Sequence, residues 1–463
     1  MKRKIILSLL ALSCASSLAF GLAACGGGGG NNSGGESSGS VPPNYTPPND
    51  EDTELFTFEL NDDESGYVVT GLAEDVTDAN ITIPSVYNGL PVTTIGERAF
   101  GDCSNLISVT ISSGVSIIGS GAFTGCLNIP SFKFPASITV IGDSAFQNCS
   151  GLRTLYFIGE SQLEEISSNA FQNCSKLTSI TIPDSVITLG DRVFQNCSSL
   201  KSVTVGNGVE TIGDETFRGC DKLESVTLGN SLKTVGEKAF LNCTLIEELH
   251  FPDSLESVGL GALEGCTGIK NLTIPFVGSQ KYDEPLPDPT NEEEYSKNHT
   301  NFGYIFGANS FSDNHKLDLD NLDTVTITGD SPIGYHAFQG IGRYTDAEGT
   351  TAIGLSTIII TGNVEVFGTG AFAGCHNLHT LVIPKSVTKI GGQILADTLI
   401  KYVYYCGTED DWENVNDGGA GNNMHLHGYG NLIDPRYYYS ETNPSEDGKY
   451  WHYVDGVPTP WNE

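Results

Sequence analysis

Two histidine-containing pairs in this sequence have residue types that could support chemistry. Cys375 and His376 are adjacent, which is compatible with a thiol nucleophile and its base. Because Cys375 also occupies a position at which Cys recurs along the chain, packing in a core is the favoured interpretation. His425 and His427 could bind a transition metal, but two ligands in a glycine-rich stretch are weak evidence for a site.

Asp318, Asp320 and Asp323 bring three carboxylates close together in the sequence, which raises the question of calcium. The EF-hand spacing and its glycine are missing, so a solvated acidic loop is the favoured interpretation. The sequence also lacks a Walker loop, an HExxH motif and a dinucleotide-binding glycine pattern. It therefore predicts a protein that is not an enzyme and that needs no cofactor and no metal.

The chain is organised instead by a repeated phrase between Ile95 and Pro275. Cysteine recurs there at residues 103, 126, 149, 174, 197, 220, 243 and 266, at spacings of 23, 23, 25, 23, 23, 23 and 23. Phe stands three residues before each Cys, except in the last copy, where Leu263 replaces it. A fixed period in this range indicates a solenoid. We interpret the cysteines as a buried column of free thiols; disulfides are less favoured because the Cβ vectors of stacked repeats run parallel.

Each copy can be divided into a strand and a return segment. The pattern Leu-x-x-Val-x-Ile places apolar side chains on one side of a strand, and Pro or a small residue then ends it. An Ile-Gly pair opens the convex side of the coil, and Ala-Phe-x-x-Cys is expected to pack beneath it in a short helical turn. Counting Cys and its substitutes, Ile341 and Thr398, we predict about eleven coils.

The combined phrase Ile-Gly-x-x-Ala-Phe-x-x-Cys-x-x-Leu resembles the BspA-like, treponemal-type leucine-rich repeat, from about Leu55 to the C-terminus. The resemblance implies a leucine-rich-repeat solenoid of the α/β horseshoe class, mostly parallel β, with short helical or 3-10 turns on the convex side. It also implies N- and C-terminal β caps and a protein that is secreted or displayed on the cell surface. Members of the family are linked to adhesion, in which the partners are host proteins, matrix proteins or other bacteria.

The N-terminus predicts a lipid anchor. Residues 1–24 combine a basic start, an apolar run and small residues before Cys25, as a signal peptide does. Leu22 to Cys25 resembles the lipobox of bacterial lipoproteins, which implies diacylglyceryl transfer to Cys25 and cleavage before it. Residues 25–52 read as a disordered Gly/Ser/Pro linker. We therefore expect a body held at the extracellular face of the bacterial membrane, with the lipid as its only membrane contact.

The rest of the chain divides into five segments by its pattern. They are an N-terminal cap hairpin at 53–80, regular repeats at 81–275, an insertion at 276–320, degenerate repeats at 321–407 and an aromatic C-terminal cap at 408–463. Thr408 is predicted to cap a short helical turn. Residues 449–461 are predicted to form strands joined by a turn at Asp455 and Gly456.

The net charge and the exposed side of the strands limit the classes of partner that the protein can bind. With 57 acidic and 23 basic residues the net charge is −34, which disfavours nucleic acid. The outward strand positions form a hydroxyl-rich row from Thr110 to Tyr404. The candidate binding residues on it are Lys133, Arg153, Tyr156, Thr181, Thr204, Thr227, Glu248 and His250.

Arg153 and Tyr156 are our first choices, because Arg and Tyr are frequent anchors of interfaces. The plain alternative is that Ser and Thr simply favour exposed strand positions. We predict non-catalytic binding of a protein or glycan on a host, matrix or neighbouring cell surface, with adhesion as the biological role. A structural spacer or scaffold in the cell envelope is the alternative function, and an enzyme is a distant third.

Overall fold

The computed structural model describes residues 50–281, 300–344, 352–415, 427–428, 431–432, 436–440, 450–454 and 457–461. These residues belong to one unit, Pro48–Glu463. Cys25 and His425 lie outside them, and so do their predicted roles. Within the described residues, no helix has the length and apolar character needed to span a bilayer.

A hairpin begins the fold. After a 3-10 helix at Asp50–Leu55, the strands Phe56–Leu60 and Tyr67–Leu72 pair in antiparallel fashion. The second of them then pairs in parallel with Leu90–Ile95, to which the short strand Val86–Tyr87 adds an antiparallel partner. The ring of Phe56 is 5% exposed and meets that of Phe100 edge-on, with 6.1 Å between centroids. The hairpin thus covers the first ring of the repeat core.

Every repeat contributes one strand to a parallel surface that we call the strand face. Its strands are Asn80–Ile83, Ser108–Ile111, Ser131–Phe134, Thr154–Phe157, Ser179–Thr181, Ser202–Thr204, Ser225–Thr227, Glu248–His250, Asn271–Ile274, Thr324–Ile327, Thr357–Ile360, Thr380–Ile383, Tyr402–Tyr405, Arg436–Tyr439 and Tyr450–Val454. Side chains alternate along each strand, so Ile180 and Val203 are buried whereas Thr181 and Thr204 are exposed. The fold is the predicted leucine-rich-repeat solenoid.

A second parallel sheet lies where the Ile-Gly pairs occur. The repeat pattern did not predict it. After Leu90–Ile95 it continues with Ile117–Ile118, Val140–Ile141, Glu165–Ile166, Thr188–Leu189, Thr211–Ile212, Thr234–Val235 and Ser257–Val258, and Val366–Phe367 pairs with Lys389–Ile390 further along. The glycine that follows is required by the close approach of coils. The backbone N–H of Gly119 donates to the carbonyl of Ile95 at 2.7 Å, and a Cβ on Gly119 would lie 2.7 Å from the same oxygen.

The Ala-Phe-x-x-Cys segments form the turn side, a chain of i→i+3 turns with two left-handed residues per coil. The first accepts Gly and a range of polar side chains, as Arg192 and Glu215 illustrate. The second directly precedes Cys or its substitute, and its occupants are Asp102, Gly125, Asn148, Asn173, Asn196, Gly219, Asn242, Gly265, Gly340, Gly374 and Asp397. Each is Asn, Asp or Gly, the residues that accept positive φ most readily. The Asn-Cys pairs of this sequence are therefore a conformational requirement of the turn.

Replacing Asn196 with valine is expected to lower the free energy of unfolding by about 2 kcal/mol. Asn196 has φ 59°, where a β-branched residue is strained, and its Nδ2 donates to Asn173 Oδ1 at 3.0 Å. Urea denaturation followed by circular dichroism measures the change. Asn196→Gly is the control, because glycine already serves at positions 125 and 219, and it should cost under about 1 kcal/mol. Equal losses in the two variants would contradict the conformational explanation.

The core contains a stack of phenylalanine rings with one ring per coil. Phe100, Phe123, Phe146, Phe171, Phe194, Phe217 and Phe240 have successive centroids 5.2–5.6 Å apart and ring planes within 16° of parallel. None of these rings is more than 1% exposed. The 23-residue spacing thus places chemically identical side chains in direct contact, which is why the phrase repeats so closely.

The cysteines form a second column, in which each thiol donates to the carbonyl of the phenylalanine one coil earlier. The donors are Cys126, Cys149, Cys174, Cys197, Cys220, Cys243, Cys266 and Cys375, at 3.0–3.3 Å. The same carbonyl accepts the backbone N–H of the Cys in its own coil, as Phe194 does from Cys197 at 3.1 Å. All ten described cysteines are free. A small apolar side chain with one weak donor suits this position.

Part of the predicted insertion lies in the core. The 3-10 helix Phe302–Phe306 adds a coil to the turn side, because Leu263 N donates to Ile305 O at 2.7 Å. The ring of Phe302 stacks on that of Phe338 with 4.6 Å between centroids. A further 3-10 helix follows at Phe311–Lys316, and the strands Arg343–Tyr344 and Ala352–Ile353 form a small hairpin. Residues 282–299 lie outside the described ranges.

The tail continues the strand face. Arg436–Tyr439 and Tyr450–Val454 add to Tyr402–Tyr405 in parallel, and Val457–Pro460 returns in antiparallel fashion, which confirms the predicted hairpin. The short strands His427–Gly428 and Asn431–Leu432 pair with each other.

The short helix Glu409–Trp412 begins as predicted, with Thr408 as its N-cap. The Thr408 hydroxyl accepts the backbone N–H of Asp411, and the Asp411 carboxylate accepts that of Thr408. The backbone N–H of Thr408, its hydroxyl and the Lys385 ammonium all donate to the Asp411 carboxylate, and together they lower the pKa of Asp411 to about 2.

Candidate binding surface on the strand face

The predicted binding residues all lie on the outside of the coils. Lys133, Arg153, Tyr156, Thr181, Thr204, Thr227, Glu248 and His250 are exposed. Their exposure follows from the alternation of each strand, whose neighbouring residues, such as Leu249, point into the core.

The register brings these residues into rows across the strands. Lys133 lies opposite Tyr156, Thr181 continues through Thr204 to Thr227, and His250 lies opposite Thr273. Arg153 comes just before the strand Thr154–Phe157, and its backbone N–H donates to the carbonyl oxygen of Pro130 at 2.8 Å. The solenoid thus assembles side chains that are about 23 residues apart in sequence into one surface.

The strand pairing of this face is interrupted at three places: between Ser108–Ile111 and Ser131–Phe134, between Thr154–Phe157 and Ser179–Thr181, and between Ser225–Thr227 and Glu248–His250. Between these interruptions the strands pair regularly. A cleft lies at each of the last two breaks, with volumes of about 590 Å³ and about 900 Å³ respectively. The predicted residues Tyr156 and Thr181 line the first cleft, and Glu248 and His250 line the second.

We call the first the Tyr156 cleft. Its lining is Thr154, Leu155, Tyr156, Phe157, Gly159, Glu160, Ser161, Ser179, Ile180, Thr181, Pro183, Asp184 and Ser185. The ring of Tyr156 is 49% exposed, and Ile158, two residues further on, is 50% exposed. Large apolar groups this open are uncommon on the strand face, where most exposed positions hold Ser, Thr or a charged residue.

The second, the His250 cleft, is acidic. Its carboxylates come from Glu224, Glu247 and Glu248. Lys270 pairs with Glu247 at 2.9 Å, and the side-chain amide of Asn271 donates to Glu248 at 3.1 Å. Two of the three carboxylates therefore already have partners within the protein, and the cleft is a weaker candidate than the first.

The C-terminal end of the outward row is covered, contrary to expectation. Val382 is fully buried and Tyr404 is 2% exposed. The cover is Trp451, whose ring lies 5.1 Å from that of Tyr404 and whose Nε1 donates to Tyr405 O at 3.0 Å. The predicted row from Thr110 to Tyr404 was therefore wrong at this end, because the tail strands place aromatic side chains over it.

Within the described residues, the side chains considered above for nucleophilic catalysis or metal binding do not form such a site. The thiol of Cys375 is fully buried and donates to Phe338 O at 3.1 Å. Burial raises its pKa to about 12, which keeps it protonated at neutral pH. The Nδ1 of His376 lies 3.2 Å from the carbonyl oxygen of Asp397. In the ranges that the structure describes, no group of three or more His, Cys, Asp or Glu side chains could hold a metal ion.

Sequence reasoning missed several residues of the Tyr156 cleft, namely Glu160, Ser161, Asp184 and Ser185. The signal was the one spacing of 25 residues, between Cys149 and Cys174, among spacings of 23. The two extra residues lie between Phe157 and Leu163, next to residues that line the cleft.

The comparison with known families agrees with this architecture. The model of the BspA type leucine-rich repeat region matches six copies, over residues 78–200, 164–280 and 350–414. The chain belongs to the BspA-type leucine-rich repeat family. Repeats of this family are typical of non-enzymatic bacterial proteins at the cell surface.

Solved structures of bacterial leucine-rich repeat proteins resemble the chain in part. A Treponema pallidum leucine-rich repeat protein is 29% identical, over 42% of this chain and 88% of that one, with a TM-score of 0.39. A Bacteroides ovatus protein is 20% identical, over 79% and 96%, with a TM-score of 0.42. A leucine-rich cell surface protein from Faecalibacterium prausnitzii is 25% identical, over 83% and 100%, with a TM-score of 0.39. Among curated proteins, none matches the chain.

Proposed function

We propose that this BspA-type protein is a lipid-anchored surface protein that binds a partner non-catalytically through the strand face, in adhesion to a host, matrix or neighbouring cell. The observation that carries the proposal is the local irregularity of that face. A spacer would be served by uniform coils, whereas here two of the three breaks in the strand face form clefts, each next to residues of the predicted set. The leader and Cys25 support attachment at the membrane, and the intact mass of the membrane-extracted protein tests for the lipid.

Replacing both Arg153 and Tyr156 with alanine is expected to weaken partner binding at least tenfold. Exposed aromatic and arginine side chains commonly contribute a large share of interface energy. The measurement uses the intact immobilised protein against purified extracellular-matrix proteins, mucins and a surface extract of co-resident bacteria. Both side chains are exposed, so the urea midpoint should stay unchanged.

Thr326→Ala is the matched control, because Thr326 lies on the same face, between two regularly paired strands, and outside the candidate set. It should leave binding unaltered. A saturable partner that binds the Arg153 and Tyr156 double variant as tightly as the parent would remove this part of the face from the proposal. The absence of any saturable partner would favour the second function, a structural spacer in the cell envelope. The uniform rows of Ser and Thr from Ser179 to Thr227 support that function.

A further inference from the structure

The coil that contains Tyr156 differs from its neighbours in length. Five residues separate Phe157 from Leu163, where three separate Phe134 from Ile138 in the coil before. Ile138 and Leu163 are both 1% exposed, so both coils return to the core at the same point. The two additional residues must therefore project outward, and residues 158, 159 and 160 are all exposed.

A hydroxyl in the next coil lacks the hydrogen bond that its equivalents make. Ser137, Ser254 and Ser386 each donate from Oγ to the carbonyl 22 residues earlier, at 2.7–2.8 Å. The equivalent Ser185 Oγ is buried and has no hydrogen-bond partner. A buried polar group without a partner costs free energy, and a ligand in the Tyr156 cleft, which Ser185 lines, could supply the missing bond.

The rest of the cleft is rich in groups that can still form hydrogen bonds. Among the described residues, the hydroxyls of Tyr156, Ser179 and Thr181 have no intramolecular partner, and all three residues are exposed. Asp184 accepts a backbone N–H from Asn207 at 2.6 Å through one oxygen only. Glu160 brings a second carboxylate to the opposite side.

We propose that the Tyr156 cleft binds a neutral pyranose residue of a glycan, an inference that rests on the proposed binding function. A pyranose has an apolar face of C–H groups that can stack on the exposed ring of Tyr156. Its hydroxyls both donate and accept, which matches a lining of hydroxyls and two carboxylates. The volume of about 590 Å³ is within the range of small-molecule sites.

The alternatives fit less well. An anionic sugar would meet Glu160 and Asp184 on a chain of net charge −34. An apolar side chain of a protein could cover the ring of Tyr156, but it would leave Ser185 and the free hydroxyls desolvated and unpaired.

The test uses saturation-transfer NMR on the intact protein with the methyl pyranosides of glucose, galactose, mannose and N-acetylglucosamine. At least one of the four should receive saturation, strongest at its ring C–H protons, with a dissociation constant in the millimolar range. Tyr156→Thr should abolish the effect, since it removes the ring and installs the residue found at 181 and 204 in the same row. Tyr156→Phe should bind within about threefold of the parent, because the stacking surface remains.

Two further variants place the sugar within the cleft. Asp184→Asn keeps an oxygen to accept the Asn207 N–H, but it loses the carboxylate charge, and we expect about tenfold weaker binding. Thr326→Ala, on the strand face but outside the cleft and the candidate set, should bind as the parent does. Saturation transfer that persists in Tyr156→Thr would overturn the site, and no transfer to any of the four sugars would overturn the ligand class.

Removing the glycans of a partner distinguishes pyranose binding from the proposed binding function. A macromolecular partner that depends on Arg153 and Tyr156, but that still binds after enzymatic removal of its glycans, would keep the binding function and overturn the pyranose. A partner whose binding is lost on glycan removal, or is displaced by the free methyl pyranoside, would support both.

Discussion

The protein is expected to lose stability steeply as the pH rises above 9, more steeply than a protein of this size without buried thiols. Burial raises the pKa of the Cys149 and Cys197 thiols from the ordinary 9.0 to about 12, and raises the pKa of the Cys174 and Cys220 thiols well above 9.0. The cause is desolvation, which penalises the thiolate in the core. The thiols therefore stay protonated in the folded state at pH values at which the unfolded chain ionises.

The sign of the effect follows from proton linkage. Below pH 9 the thiols are protonated in both states and contribute no pH dependence. Between pH 9 and about 12 the unfolded state binds fewer protons than the folded state, so stability falls as the pH rises. Each buried thiol contributes a slope of about 1.4 kcal/mol per pH unit. The urea midpoint, measured by circular dichroism at pH 7, 9, 10 and 11, reports the loss.

A variant with Cys174, Cys197 and Cys220 all replaced by alanine separates the thiols from other groups that ionise in this range. It should be less stable than the parent at pH 7, since packing and three thiol hydrogen bonds are lost. Above pH 9 its stability should fall less steeply, by about 1.4 kcal/mol per pH unit for each thiol removed. An unchanged slope would mean that tyrosine or lysine ionisation causes the alkaline loss.

Replacing Phe194 with alanine should lower the free energy of unfolding by about 3–5 kcal/mol. The side chain is fully buried, and its ring stacks on Phe171 and Phe217 with 5.6 Å between centroids on each side. The change removes two ring contacts and leaves a cavity that neighbouring coils cannot fill, because they are held by their own ladders of backbone hydrogen bonds. Urea denaturation measures the loss.

Phe194→Leu is the matched control, since Leu263 and Leu395 already occupy the same column and are fully buried. It keeps most of the volume, and its cost should stay below about 1.5 kcal/mol. Because a solenoid is stabilised by contacts between neighbouring coils, the alanine variant should also broaden the transition. A loss below 1 kcal/mol for Phe194→Ala would show that the ring stack is not a major source of stability.

Much of the candidate surface could be predicted from the sequence, and its irregularities could not. The two-residue alternation was enough to place Lys133, Tyr156 and His250 outside the coils, because one face of each strand must be buried. The same reasoning failed at Val382 and Tyr404. Their strands alternate in the same way, but the aromatic tail lies over them, and nothing in their own coils indicates it.

The clefts could not be predicted from the sequence, for a related reason. A difference of two residues between Cys149 and Cys174 is visible in the sequence, but its consequence depends on how two neighbouring coils pair. The orphaned hydroxyl of Ser185 is a property of the contact between coils, as is the break next to Tyr156. Phe302 likewise has no repeat phrase around it, and only its stacking on Phe338 shows that it belongs to the core.

The repeat pattern was enough to predict the solenoid, the Phe and Cys columns and the outward set of residues. A fixed period places equivalent residues in equivalent environments, so one copy predicts the burial of all the others. The second sheet, the left-handed residue before each Cys, the covered end of the strand face and the clefts became visible only in the folded protein. Those features arise where consecutive coils, or the tail and the coils, meet, and their energies depend on distances between residues that no periodic pattern encodes.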